Sequence, residues 1–133
     1  MINEDIKTLI KYRLEQAEEA LDDAELLFSK GRYRAALNRS YYAMFYAVLA
    51  LLILSGKGTS KHSGAIAMFD LDFVKNGGFD KKFSKWLHEA FEDRLRSDYK
   101  EQVVIPPDEI AETLSRAKKF VNRCKEFLDE KFK

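Results

Sequence analysis

The sequence predicts an all-α fold: an antiparallel up-and-down bundle of four long helices plus one short helix, a single domain over residues 1–133. Three observations carry that expectation. Apolar residues recur at alternating steps of three and four along most of the chain. Strand signals are almost absent. Only six glycines and two prolines are present to stop helices, in a chain that is 46% hydrophobic and 34% charged.

Each element follows from this patterning. Ile6, Ile10, Leu14, Ala17, Leu21, Ala24 and Phe28 form one face of a first helix, with Asn3 as its cap and Gly31 as its stop. A second helix, expected over 33–54, is apolar nearly all round in its second half and halts at Gly56 and Gly58, which marks it as the central helix. A short helix over about 64–74 closes at Asn76, Gly77 and Gly78. The fourth turns Phe83, Trp86, Leu87, Ala90 and Phe91 inward and ends near Ser97. "DYKEQVVIPP" then reads as a connection, because proline disfavours helix in the residue before it. Pro107 can occupy the first turn of a last helix whose stripe is Ile110, Leu114, Ala117, Val121, Cys124 and Leu128.

Charge and composition exclude several function classes. Basic residues exceed acidic ones by 23 − 22 = 1, so net charge alone points to neither nucleic acid nor an acidic partner. The distribution is more informative: residues 1–30 hold four basic and eight acidic side chains, whereas 31–54 hold Arg32, Arg34 and Arg39 and no acid. A single cysteine, Cys124, and an N-terminus without a signal-peptide pattern point to the cytoplasm. The longest apolar run, 41–54, falls short of the roughly 18–20 residues that span a bilayer, so no membrane association is expected. "SGKGTS" lacks the strand, spacing and following helix of a phosphate loop and reads as a helix C-cap with a solvated turn, in a loop whose Lys57 and Lys61 are expected to be solvated. His62 and His88 have no ligand-spaced companions, so neither metal nor cofactor is expected; His62 would open the short helix and His88 sit on a helix flank.

Two clusters carry chemistry. Arg39 and Tyr46 lie seven apart and share a helix face, with Tyr42 between them, an arrangement suited to a phosphate or a base. The competing reading pairs Arg39 with Asp22 or Asp23 and leaves the tyrosines in the core. In "EDRLRSDY", Arg94 and Asp98 are spaced for a helical ion pair, while Arg94, Arg96 and Tyr99 at a helix end could converge on a ligand without being buried.

"AALNRSYYAMFYAVLALL", "SKHSG" and "FEDRLRSDY" together resemble, in the right order and over nearly the whole chain, the HEPN (higher eukaryotes and prokaryotes nucleotide-binding) family, and within it the small stand-alone prokaryotic proteins of uncharacterised function. The resemblance implies a helical bundle that forms a homodimer, often encoded beside a minimal nucleotidyltransferase as a toxin–antitoxin pair. Many such proteins are metal-independent ribonucleases with an Arg, then four to six intervening residues, then a His. Here Tyr46 stands where that His is expected after Arg39, and no His follows Arg94 or Arg96. Loss of the imidazole removes a group that typically contributes about 10²–10⁴-fold to proton transfer. The expectation is therefore a nucleotide-, RNA- or nucleotidyltransferase-binding protein acting through Arg39, Tyr42, Tyr46, Arg94, Asp98 and Tyr99. The alternatives are a ribonuclease toxin using Arg94 and Arg96 with His62 or Tyr99, and a helical adaptor without a ligand.

Overall fold

The computed structural model describes residues 4–59, 61–99 and 104–132, with the side chain of Tyr99 outside the description. The described chain is all-helical: α1 (Glu4–Ser29), α2 (Tyr33–Leu54), α3 (His62–Phe69), α4 (Lys81–Tyr99) and α5 (Pro107–Lys131). The bundle is built around α2, which packs against all four other helices. Of the expected α1 stripe, Ile10, Ala17, Leu21 and Ala24 are buried, and Ile6, Leu14 and Phe28 pack partly exposed against the core. Ala36, Ala43, Ala47 and Ala50 on α2 are completely buried, so their small side chains let neighbouring helices approach from several sides. That explains why α2 is apolar all round. Its mean hydropathy and length would suit a membrane span, but most of that stretch is covered by the other helices.

Both glycine stops work by the same geometry. Gly31 and Gly56 have φ of +73° and +75°. The next residue reaches back in each case, Arg32 N–H to Leu27 O at 2.8 Å and Lys57 N–H to Leu52 O at 2.9 Å, satisfying carbonyls the helix end would otherwise orphan. The expected cap Asn3 lies outside the described residues, as does the 100–103 part of the connection before α5. Pro107 begins α5 as expected, and the whole predicted α5 stripe is buried.

Two helix bounds need correction, and two side chains gain partners. The short helix starts at His62, two residues early, and continues past Phe69 as a π-helical turn over Asp70–Lys75. Gly77 packs so closely on this turn that an added Cβ would lie 2.6 Å from Asp72 O and 2.7 Å from Phe73 Cα. The fourth helix runs two residues past Ser97, to Tyr99. Lys57 is a solvated loop lysine, about half exposed, and its Nζ also pairs with the carboxylate of Asp72 at 2.9 Å. His88 sits half-exposed on α4, and its Nε2 bonds Asp70 Oδ2 at 2.6 Å, a partner the sequence did not suggest.

Candidate functional site

One end of the α2–α4 seam gathers cations onto tyrosines. Tyr41 and Tyr42, adjacent on α2, point to different neighbours because successive helical residues are turned by about 100°. Tyr41 is fully buried and Tyr42 partly exposed. From α4, Arg94 donates from Nη1 to the Tyr42 hydroxyl at 3.0 Å. Its guanidinium lies 5.2 Å from the Tyr41 ring centroid, 5.5 Å from that of Tyr42 and 5.9 Å from that of Phe91. From the preceding turn of α2, Arg39 sits 4.8 Å over the Tyr42 ring and donates to Asn38 Oδ1 at 3.1 and 3.2 Å. Tyr42 therefore holds two guanidinium groups at once.

Neither cation has a carboxylate at hydrogen-bonding distance. Asp98 Oδ2 stands 3.7 Å from Arg94 Nε, and Nε itself is buried without a hydrogen-bond partner. Among the described residues Arg39 makes no ion pair, so the reading that ties it to Asp22 or Asp23 is corrected. The Arg94 side chain is only 14% exposed, which also corrects the expectation of an unburied helix-end group. Two like charges on one ring repel, and burial makes the repulsion costlier. An arriving anion would relieve it.

The third contribution comes from α3, across the α2–α3 turn. His62 stacks on Phe45 with ring centroids 4.1 Å apart and planes 10° from parallel, and its Nδ1 is 2.7 Å from the Tyr41 hydroxyl. Burial holds the Tyr41 phenol protonated far above its ordinary range. A buried O–H needs an acceptor, and Nδ1 is the one at hand, so the hydrogen bond assigns the remaining proton of the neutral ring to Nε2. Burial first, and then the charge of Arg94, lower the His62 pKa, which keeps the ring neutral. His62 thus presents an N–H donor rather than a free lone pair.

Residues 10–129 match the family model of the HEPN domain. The chain belongs to the HEPN family. Among its relatives, a "UPF0332 protein" of Thermotoga maritima is 38% identical over 122 residues, covering 92% of each chain. A protein of Methanocaldococcus jannaschii named "Putative toxin" is 36% identical over 131 residues, 98% of this chain and 96% of the relative. A second protein of that organism with the same designation is 34% identical over 118 residues, 89% of this chain and 80% of the relative.

In this HEPN bundle the two sequence clusters meet only in part. Arg39, Tyr42 and Arg94 come together, Asp98 stands at the edge, and Tyr46 packs 5.8 Å from Tyr42. Arg96 does not join them: two residues from Arg94 it faces away, 59% exposed and 3.5 Å from Asp93. The side chain of Tyr99 lies outside the described residues. His62 joins the cluster, and its bond to Tyr41 goes beyond the helix-opening role the sequence suggests. Tyr41 and Phe45 were invisible as site residues because their spacing reads as ordinary core. The one available signal was the pairing of "SKHSG" with "SYYAMF" within a single family resemblance.

Proposed function

We propose that this HEPN protein binds the phosphate of a nucleotide or of RNA in the cleft formed by Arg39, Tyr42 and Arg94, and that it has little catalytic activity alone. The observation that carries the reading is Tyr42 flanked by two guanidinium groups, of which Arg39 has no ion pair among the described residues and Arg94 has only the long one to Asp98, 3.7 Å. A guanidinium offers a planar fork of donors that matches phosphate oxygens, and charge-assisted bonds of this kind are about twice as strong as neutral ones. His62 Nε2–H adds a neutral donor. The same hydrogen bond argues against acid–base cleavage, because Tyr41 occupies the lone pair that would accept a proton.

The designation of two relatives as "Putative toxin" supports a toxin-like role, and with it a toxin–antitoxin partnership in which the partner is a minimal nucleotidyltransferase. We assign a cytoplasmic homodimer of one domain per chain. Supporting the dimer, Leu9 and Tyr12 on α1 are about half exposed, and Tyr42, Tyr46, Leu49 and Ile53 form a partly exposed row on α2. Unpaired apolar rows of this kind mark association surfaces.

The deciding experiment incubates purified protein with labelled single-stranded RNA in EDTA and follows both binding and chain length. Retention of intact RNA is expected, weakened by Arg39→Ala. Cleavage that disappears in His62→Ala would replace this reading with that of a ribonuclease toxin. Intact RNA with no binding by either protein would leave the adaptor.

A further inference from the structure

A separate cavity of about 250 Å³ opens where the start of α2, the end of α4 and the start of α5 meet. Leu37, Ile105 and Ile110 form its floor, all buried in a small core of their own, and Tyr33 forms an aromatic wall. Tyr33 is edge-on to Phe28, with centroids 5.1 Å apart and planes at 67°, and is 37% exposed. The polar contribution is narrow. Arg34 Nε donates to Ser97 Oγ at 3.2 Å, and both residues line the cavity. Ser97 is 6% exposed, and its own hydroxyl proton has no acceptor among the described residues. The two terminal nitrogens of Arg34 likewise have no partner among them. An apolar, aromatic-walled cavity with a few fixed polar groups is the usual form of a small-molecule site, and this volume lies just below the range of about 300–1,000 Å³ for drug-sized ligands.

The cavity lies along the same α2–α4 seam as the guanidinium cluster, with Arg34 bonded to Ser97 and, one turn of α4 away, Arg94 bonded to Tyr42. Leu37 precedes Tyr41 by four residues and Arg34 precedes Asn38 by four, while Ser97 follows Arg94 by three, so floor and polar edge lie one helical turn, about 5.4 Å, from the guanidinium cluster. A ribose bridges a separation of that order. The polar edge of the cavity is dominated by donors: the forked N–H groups of Arg34 can only donate, and the Ser97 hydroxyl, which already accepts from Arg34 Nε, has its own proton left to give. Guanine presents two adjacent acceptors, O6 and N7, whereas adenine presents an acceptor beside an amino donor.

Resting on the phosphate-binding reading above, we propose that this cavity is a base subsite selective for guanine, with Tyr33 stacking on the ring, Arg34 and Ser97 reading O6 and N7, and the attached phosphate held by Arg39 and Arg94. The test titrates the folded protein with guanosine 5′-monophosphate, adenosine 5′-monophosphate and ribose 5-phosphate, following affinity by calorimetry and the methyl resonances of Leu37, Ile105 and Ile110 by NMR. The guanosine nucleotide is expected to bind about tenfold or more tighter than either competitor and to shift those methyls. Arg34→Ala, a change at an exposed side chain, is expected to erase the guanine-over-adenine preference while leaving ribose 5-phosphate affinity unchanged. Equal affinity for the guanosine nucleotide and ribose 5-phosphate, both lost in Arg39→Ala, overturns the base subsite and leaves the phosphate site standing. Adenosine binding as tightly as guanosine overturns the guanine assignment. Failure of all three ligands to bind overturns the subsite and the phosphate site together.

Discussion

Two aromatic clusters sit in the same bundle and behave oppositely. Around α5, Phe69, Phe73, Phe79, Phe83, Phe120 and Phe127 pack ring on ring at centroid distances of 5.3–6.2 Å. The cations there, Arg123, Lys131 and Lys82, lie over the rings of Phe79, Phe127 and Phe83. At the other end Tyr41, Tyr42, Phe45 and Phe91 hold a mostly covered guanidinium and an imidazole among the rings themselves. The first arrangement gains from every apolar area removed from water. In the second, Arg94 is held under cover with only a long, 3.7 Å ion pair to Asp98 and with its Nε unbonded, an arrangement that offsets part of what its packing gains. The difference separates rings that hold the fold from rings that hold a charge in place for something else.

Substitutions can break or sharpen this contrast. The largest effect is expected from Phe120→Ala, which opens a cavity between Phe69 and Phe83 and should cost about 3–5 kcal/mol in a denaturant titration. Nucleotide affinity of the protein that remains folded should not change. Gly77→Ala comes next, at roughly 1–3 kcal/mol, because the π-helical turn must shift to accept the methyl group. Arg94→Leu should go the other way: with the ring packing kept and the buried charge removed, stability is expected to hold or rise by roughly 1 kcal/mol while phosphate binding disappears. A large loss of stability there would class the tyrosine end with the phenylalanine end.

A subtler difference is pH dependence. The His62 pKa is lowered from its ordinary 6.5, so the folded state resists a proton that the unfolded chain accepts. The stability it contributes is present above pH 6.5 and is lost as pH falls from there through the folded-state pKa. His62→Gln should flatten that portion of the curve, measured as thermal midpoint against pH. The smallest effect is expected from Lys57→Ala, which breaks a half-exposed pair with Asp72 and should cost about 1 kcal/mol or less, with no change in binding.

How much of this was legible in the sequence depends on the range of the interaction. The α1 and α5 stripes, the all-round apolar α2 and the glycine stops rest on local periodicity and backbone geometry, and they hold in the structure. The π-helical turn was not legible, since it depends on Gly77 closing against the backbone of Asp72 and Phe73. The site was half legible. Arg39 and Tyr42 are separated by three residues on one helix, so spacing could pair them. Tyr42 and Arg94 are 52 residues apart, and Tyr41 and His62 are 21 apart, so only folding joins them. Residue spacing could not tell Arg94 from Arg96 either, yet the helix turns one into the cluster and the other toward Asp93 and solvent.

The most direct test of the central claim is a paired measurement on Arg39→Ala. Arg39 touches Tyr42 and Asn38 and no carboxylate among the described residues, so the account gives it a ligand to hold and almost nothing structural to do. Calorimetric titration with a short single-stranded RNA and equilibrium unfolding, run on the same preparations, should show affinity reduced at least about tenfold, the scale of one lost charge-assisted hydrogen bond. Stability should stay within about 1 kcal/mol of the parent. Undiminished affinity together with a loss of several kcal/mol, as for a broken buried pair, would contradict the account and make Arg39 a structural residue.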